Sequence, residues 1–280
     1  MNWLVSTEWL ASHLKAPDVA IIDASWHLPN VARDAHAEYL AERIPGAVFF
    51  DIDEIADTSS PYPHMLPSPE KFASRMRKMG IGDGKRVVVY DSYGLFSAAR
   101  VWWILRLFGK EDVAVLDGGL KKWKAEGRAL EDGPPIKPQD RHFTARFNSL
   151  MVRDKAEMQK ALAAGSQVAD ARGPGRFTGV EPEPRPGLRG GHMPGARNVH
   201  YAKLVNDDGT LKAPDEIRAV FVGCGIDPAK PIVTSCGSGV TAAVLALGLA
   251  EIGNQKTALY DGSWTEWGSD PDLPAVTGEA

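Results

Sequence analysis

The chain contains one pattern twice, and this repeat limits its possible folds more than any other feature. Val87-Val-Val-Tyr-Asp-Ser-Tyr-Gly-Leu-Phe-Ser-Ala-Ala99 is echoed by Ile232-Val-Thr-Ser-Cys-Gly-Ser-Gly-Val-Thr-Ala-Ala243. An apolar helical stretch follows each run. Then come Val113-Ala-Val-Leu-Asp-Gly-Gly119 with Trp123 in the first half, and Thr257-Ala-Leu-Tyr-Asp-Gly-Ser263 with Trp267 in the second. Ser92 precedes Asp117 by 25 positions and Cys236 precedes Asp261 by 25, while each Asp precedes its Trp by 6. Further upstream, Ile44-Pro-Gly-Ala47 matches Met193-Pro-Gly-Ala196, and Ala20-Ile-Ile-Asp-Ala-Ser25 matches Gln167-Val-Ala-Asp-Ala-Arg172.

In each copy short apolar strands (20–23, 86–90 and 113–116; 167–170, 231–235 and 257–260) alternate with helical stretches. Such alternation predicts an α/β fold, with two units that are each a mainly parallel sheet flanked by helices. A length of 280 residues accommodates both. The first unit is expected over residues 1–134. A linker over 135–149 follows, heralded by Gly133-Pro-Pro-Ile-Lys-Pro138, and the second unit occupies 150–280.

Composition excludes several classes of function. The formal net charge is -4 and no basic stripe is interleaved with aromatics, so nucleic acid is not an expected partner. No apolar stretch is long enough to cross a bilayer, and the first residues lack the basic and apolar regions of a secretory signal. A reducing cytoplasm is the expected compartment and a monomer the expected state. Cys224 and Cys236 are the only cysteines, too few for a disulfide framework.

Cys236 lies between a β-prone run and a helical pattern from Val240 to Ile252 that stops at Gly253. A cysteine placed there meets unpaired backbone N–H groups and the positive end of a helix dipole. Both favour thiolate over thiol, which suits a nucleophile. Gly237 and Gly239 let the backbone curl round the sulfur, and the N–H groups of residues 237–241, Val240 and Thr241 included, could hold an anion. Cys224 is expected to pack near a loop, and Trp102 and Trp103 to lie in the core. At the position matched to Cys236 the first copy has Ser92, with Asp91 beside it and Tyr93 and Leu95 in place of glycines. That loop is expected to cradle nothing, which leaves the site in the second copy or at the seam.

These motifs, with Asp261-Gly-Ser-Trp-Thr-Glu-Trp267, Gly191-His-Met-Pro-Gly-Ala196, Gly175-Arg-Phe177, Glu183-Pro-Arg-Pro-Gly187, Phe49-Phe-Asp-Ile-Asp53 and His64-Met-Leu-Pro67, resemble the tandem-rhodanese sulfurtransferases over nearly the whole chain. The loop Cys236-Gly-Ser-Gly-Val-Thr241 looks like the mercaptopyruvate type; thiosulfate-type relatives carry Arg and Lys where Gly237 and Ser238 stand. The resemblance implies two rhodanese domains with the active cysteine in the second and a cleft near the domain interface. It implies sulfur transfer from 3-mercaptopyruvate to Cys236 as a persulfide, release of pyruvate, and passage of the sulfur to a thiol such as thioredoxin, to a small thiol, or to cyanide. It further implies that Ser238, His64 and Asp53 form a relay beside the cysteine, and that Arg176 and Arg185 bind the substrate carboxylate. Taken alone, Asp53 could instead cap a helix from Glu54, and His64 could be an exposed loop residue. Arg176 and Arg185 lie in a Gly/Pro-rich segment, 173–191, expected to hold no regular helix; Arg172, His192 and the Pro194-Gly195 turn are read as structural. No metal and no organic cofactor is expected.

Three rivals remain. Thiosulfate is disfavoured as donor by the absence of cations from the loop. A cysteine phosphatase would need arginine six residues after the cysteine, where Ala242 stands. A non-turnover persulfide carrier is the third.

Overall fold

The structure is a computed structural model describing residues 2–279; the expected outermost limits of the two units, residues 1 and 280, lie outside the described residues. Ten strands form two five-stranded sheets. The first contains β1 (Leu4–Val5), β2 (Val19–Asp23), β3 (Val48–Phe49), β4 (Arg86–Tyr90) and β5 (Val113–Leu116), in the order β1-β5-β4-β2-β3. The second contains β6 (Val152–Arg153), β7 (Gln167–Asp170), β8 (Arg197–Asn198), β9 (Ile232–Ser235) and β10 (Thr257–Tyr260), in the order β6-β10-β9-β7-β8. Every pairing is parallel, and the two orders agree position for position. The central strands are buried on both faces, as Val87, Val88 and Val89 show, because helices cover both sides of a parallel sheet. The edge strands β1, β3, β6 and β8 are two residues long and leave no apolar run to read in the sequence.

Strand register corrects the alignment of the copies at one point. Tyr90 pairs with Asp23, and Ser235 pairs with Asp170. Val89 pairs with Val115, and Thr234 with Leu259. One residue further on, Asp91 and not Ser92 stands at the place of Cys236. Backbone bonds agree: Leu120 N–H donates to Asp91 O at 3.0 Å, and Trp264 N–H donates to Cys236 O at 2.9 Å. The first loop is one residue longer, since its helix starts at Ala98 while the matching helix starts at Ala242.

Those two helices, Ala98–Leu107 and Ala242–Glu251, pack against each other at the seam. Each is largely apolar because one face meets its own sheet and the other meets the opposite copy, with Arg100 and Arg106 in the first and Glu251 in the second as charged exceptions. Trp102, Trp103, Val240 and Leu245 belong to one continuous core that runs through both copies. Polar contacts across the seam are reciprocal. Asp117 Oδ1 accepts Leu211 N–H at 2.8 Å, and Asp261 Oδ2 accepts Leu66 N–H at 2.8 Å. Residues 135–148 carry no helix or strand but lie against the first copy: Phe143 is buried edge-on to Phe72, and Thr144 bonds Asp83 through N–H and hydroxyl. No helix among the described residues is long and apolar enough to cross a membrane.

The backbones touch where Gly94 meets Gly209, with φ of +112° and +88°. A Cβ on Gly209 would sit 2.9 Å from Gly94 Cα. Gly209→Ala should therefore destabilise the chain by about 1–3 kcal/mol through strain and overpacking. Thermal unfolding followed by circular dichroism checks this, and an unchanged Tm would contradict it.

Candidate active site

The turn after β9 is held from behind. Cys236 O accepts the Trp264 N–H, and Gly237 O accepts the Thr265 N–H at 2.9 Å and the Thr265 hydroxyl at 2.5 Å. Cys236 N–H points at Ser263 Oγ, 3.4 Å away, and that hydroxyl donates to Tyr260 O at 2.9 Å. A trans peptide directs its N–H opposite to its C=O. With the Cys236 and Gly237 carbonyls tied to the 263–269 segment, the N–H groups of Gly237 and Ser238 point away from it. The N–H groups of residues 237–241 meet no protein acceptor among the described residues. Gly239 adopts φ +80°, which closes the curl. Cys236 itself is 2% exposed.

The first copy shows what such a turn does with an anion. The Asp91 carboxylate accepts N–H bonds from Tyr93 (2.9 Å), Gly94 (3.0 Å), Phe96 (2.7 Å) and Ala98 (2.8 Å). Burial raises the Asp91 pKa, and these four donors pull it back down. The expectation that this loop cradles nothing is thereby corrected: it cradles its own side chain. The copy-to-copy match through Ser92 concealed this by one residue.

Ser238, His64 and Asp53 come together across the seam. Ser238 Oγ lies 3.0 Å from His64 Nδ1, and His64 Nε2 lies 2.9 Å from Asp53 Oδ1. Trp26 Nε1 donates to Asp53 Oδ2 at 3.0 Å, and its ring meets His64 edge-on at 4.8 Å. The His64 hydrogen bond is the main cause of a lowered Asp53 pKa. Neither alternative reading of these residues holds. His64 is buried, and the helix Ile52–Ile55 is capped by Asp51, whose Oδ1 accepts the N–H groups of Asp53 and Glu54.

His64 has a left-handed backbone, φ +62°, a conformation that costs of order 1–3 kcal/mol for a non-glycine residue. Arg100 holds it there. The Arg100 side chain is fully buried, and its Nη2 donates to His64 O and to Asp261 Oδ1, both at 2.6 Å. Asp261 in turn holds Leu66 N–H. The sequence reading gave Arg100 no role. Its only signal was a charged residue inside an otherwise apolar helical stretch.

The cavity at Cys236 has a volume of about 230 Å³. Arg176, Arg185, Gly237, Ser238, Val240 and Thr241 line it from the second copy, and Trp26, Leu28 and Phe96 from the first. Gly239 stands behind this wall, where a Cβ would come 2.9 Å from Arg100 Nη1. Contrary to expectation, Arg176 is on a short helix, Pro174–Thr178, started by Pro174 and ended by Gly179 at φ +82°. Its Nε and Nη2 bond Glu183 Oε2 at 3.2 and 2.5 Å. The same glutamate accepts Arg172 Nη1 at 2.7 Å, so Glu183, unassigned in the sequence, fixes two arginines at once. Arg185 forms no salt bridge among the described residues. Burial lowers its pKa, the nearby Cys236 sulfur raises it, and Arg176 lowers it again. An arginine remains cationic throughout.

The residues read as structural are tied into the scaffold. Arg172 is buried on Asp170, and His192 stacks on Phe177 and bonds its carbonyl, 2.9 Å from Nδ1. Cys224 caps the helix Pro214–Gly223, with Lys203 Nζ 3.9 Å from its sulfur. Among the described residues no three His, Cys, Asp or Glu side chains cluster as metal ligands.

The Asp53–His64 bond makes stability depend on pH in a definite direction. A carboxylate whose pKa is lower in the folded chain stabilises it above the unfolded pKa, and that contribution fades as pH falls through the depressed value. Asp53→Asn should be less stable than the parent chain near neutrality, and the gap should close in acid below the ordinary aspartate range. Urea unfolding across this pH interval checks it; a gap independent of pH would contradict the pairing.

Comparison with known proteins agrees with this architecture. The family model for the Rhodanese-like domain matches twice, over residues 6–126 and 154–270. The 3-mercaptopyruvate sulfurtransferase of Escherichia coli (strain K12) is 47% identical over 275 residues, covering 98% of this chain and 97% of that one. The thiosulfate sulfurtransferase of Bos taurus is 40% identical over 272 residues, covering 94% and 91%. The crystal structure of SseA from Escherichia coli, described as having the rhodanese fold of 3-mercaptopyruvate sulfotransferases, superposes with a TM-score of 0.86 at 45% identity, covering 94% of this chain and 99% of that one. With both halves matched and relatives this similar along nearly their whole length, the chain belongs to the tandem-rhodanese sulfurtransferase family.

Proposed function

We propose that the chain moves the sulfur of 3-mercaptopyruvate onto Cys236 and then to an acceptor. The observation that carries this reading is the turn of unpartnered N–H groups at 237–241 around one cysteine, in a cavity that also holds two arginines. The substrate carboxylate docks on Arg185, whose planar fork can bond it twice, with Arg176 beside it. The Cys236 thiolate attacks the substrate sulfur. The carbon–sulfur bond breaks with its electron pair on carbon, which leaves a cysteine persulfide and a pyruvate enolate. The Ser238–His64–Asp53 relay takes the proton from the outer sulfur of the new persulfide and delivers it to the enolate carbon, which gives pyruvate and leaves the persulfide as an anion. The inward N–H groups, the equivalents of those on Asp91, hold the anionic persulfide. An acceptor, either a small thiol, the thiol of a thioredoxin, or cyanide, then takes the outer sulfur and restores Cys236.

Thiosulfate is the second reading, since a thiosulfate sulfurtransferase is among the relatives. The local packing favours the first. A Cβ on Gly237 would lie 2.8 Å from Arg176 Nη2, so the arginine already fills the space that a basic side chain at 237 would use. Arg172 and Arg176 are both held by Glu183, which leaves Arg185 to meet the donor, a match for one carboxylate and a poor one for a dianion.

Initial rates of sulfur transfer to cyanide from the two donors test the preference. Mercaptopyruvate should be faster, and faster turnover with thiosulfate would reverse it. Intact-mass measurement after mixing with mercaptopyruvate should show one added sulfur in the parent chain and none in Cys236→Ser, with one pyruvate released per sulfur. A mass gain without pyruvate would leave only a carrier. Arg185→Ala should raise KM roughly ten- to a hundredfold, the loss of a charged hydrogen bond of about 1.5–3 kcal/mol, while Cys236 alkylates at its former rate. Equal losses in both would remove Arg185 from substrate binding. Ser238→Ala should lower kcat by about a hundredfold or more while alkylation persists; unchanged turnover would remove the serine from the relay.

A further inference from the structure

The two copies differ at one buried position in a way that exposes a second binding site. In the second copy Arg172 donates through its N–H to Asp170 Oδ1 at 3.0 Å. Its guanidinium turns back on the same carboxylate, with Nε 3.1 Å from both oxygens and Nη2 2.7 Å from Oδ2. Nη2 also donates to Gly191 O at 2.8 Å, Nη1 donates to Glu183, and the group lies over the Trp264 ring at 4.5 Å.

Every backbone feature of this arrangement recurs in the first copy. Ala24 N–H donates to Tyr90 O as Ala171 N–H does to Ser235 O, each at 2.8 Å. Ser25 N–H donates to Asp23 Oδ1 at 2.9 Å, in the place of Arg172. The Leu120 and Trp264 N–H groups make equivalent bonds, so Leu120 replaces the indole. Ala47 N–H closes on Ile44 O as Ala196 N–H closes on Met193 O, each at 3.1 Å, which puts Glu42 at the place of Gly191. The guanidinium is missing from the set, and the buried Tyr90 stands where the second copy has Ser235, its hydroxyl accepting Ile44 N–H at 3.2 Å on the side of Asp23. Asp23, Ser25, Glu42 and Leu120, the counterparts of its surroundings, line a cavity of about 560 Å³ together with Tyr39.

The chemistry of this cavity matches the shape of its counterpart. Asp23 is 1% exposed and Ser25 3% exposed, and among the described residues Ser25 Oγ meets no partner at hydrogen-bond distance, its nearest charge being the Asp23 carboxylate. Burial raises the Asp23 pKa, as expected for a carboxylate stripped of water. The cationic residues of the wall are engaged elsewhere. Arg33 pairs with Glu38, Lys124 with Glu42, and Lys121 with Asp207 O.

We infer that the first copy binds an alkylguanidinium cation, its planar fork on Asp23, an N–H on Ser25 Oγ and its face against Leu120. A guanidinium suits the place better than an ammonium because it is flat, is weakly hydrated, and meets a carboxylate through two parallel bonds. The site stands apart from Cys236 and does not depend on the sulfur chemistry.

Titration of the isotope-labelled chain with methylguanidinium chloride, read by amide NMR, tests it. The Ser25 and Leu120 signals should shift saturably with Kd of about 1 mM, the strength that so few ligand atoms allow. Methylammonium should bind at least tenfold more weakly. Ser25→Arg should supply the group in cis, abolish the response and raise Tm. Asp23→Asn should weaken binding at least tenfold, a readout that stands even if the arginine variant does not fold. Absence of a saturable shift, equal binding of both cations, or a response that survives both substitutions would overturn the site.

Discussion

The structure depends on a corner at which a strand becomes a helix and the main chain turns its N–H groups inward. Buried N–H groups demand an acceptor, and a buried anion demands donors. Each copy joins these two demands at the same place. The first does so permanently, with Asp91 accepting four N–H bonds from its own loop. The second puts Cys236 there and leaves the donors of 237–241 without a protein acceptor among the described residues, beside a cavity. An internal duplicate thus displays, in a carboxylate, the anion geometry proposed for sulfur.

A corner of this kind is not sufficient for the proposed relay, which is divided between the copies. Ser238 comes from the second copy, and His64 and Asp53 from the first. Their alignment requires a seam that does not slide. The shared apolar core and the Arg100–Asp261 pair provide that rigidity, and the pair also fixes the backbone of His64 directly. Arg100 has a half-satisfied guanidinium, with Nε and Nη1 lacking partners, so its Nη2 bonds carry the connection. Breaking a buried pair by removing one member costs about 3–5 kcal/mol, which makes the seam sensitive to change at either residue.

Much of this was legible in the sequence. The six longer strands are each built round a short apolar run, and their repeated spacing revealed two equivalent units. Cys236 announced itself by its place between strand, glycines and helix. Ser238, His64, Asp53, Arg176 and Arg185 were reached through family resemblance, because the seam brings His64 and Asp53 to Ser238 and the folding of the second copy brings Arg176 and Arg185 to Cys236. What escaped depends on geometry that spacing does not encode. A loop longer by one residue hid the equivalence of Asp91 and Cys236. The helix cap fell to Asp51 and not Asp53 because hydrogen bonding, and not residue type, decides which of two nearby aspartates serves. Proline and glycine bounded the short helix at 174–178 as well as breaking regularity around it. Glu183, Trp26 and Arg100 act on other side chains of the candidate site, and the sequence marks such a role weakly at most, as the charge of Arg100 within an apolar stretch does.

The central claim is that the inward N–H groups of the second corner hold the transferred sulfur. Amide NMR of the isotope-labelled chain before and after persulfide formation, with loading verified in the same sample, tests it most directly. The proton signals of residues 237–241 should move downfield as they gain an anionic acceptor, while those donating to Asp91 stay in place. A fully loaded chain whose 237–241 signals do not move would contradict the claim.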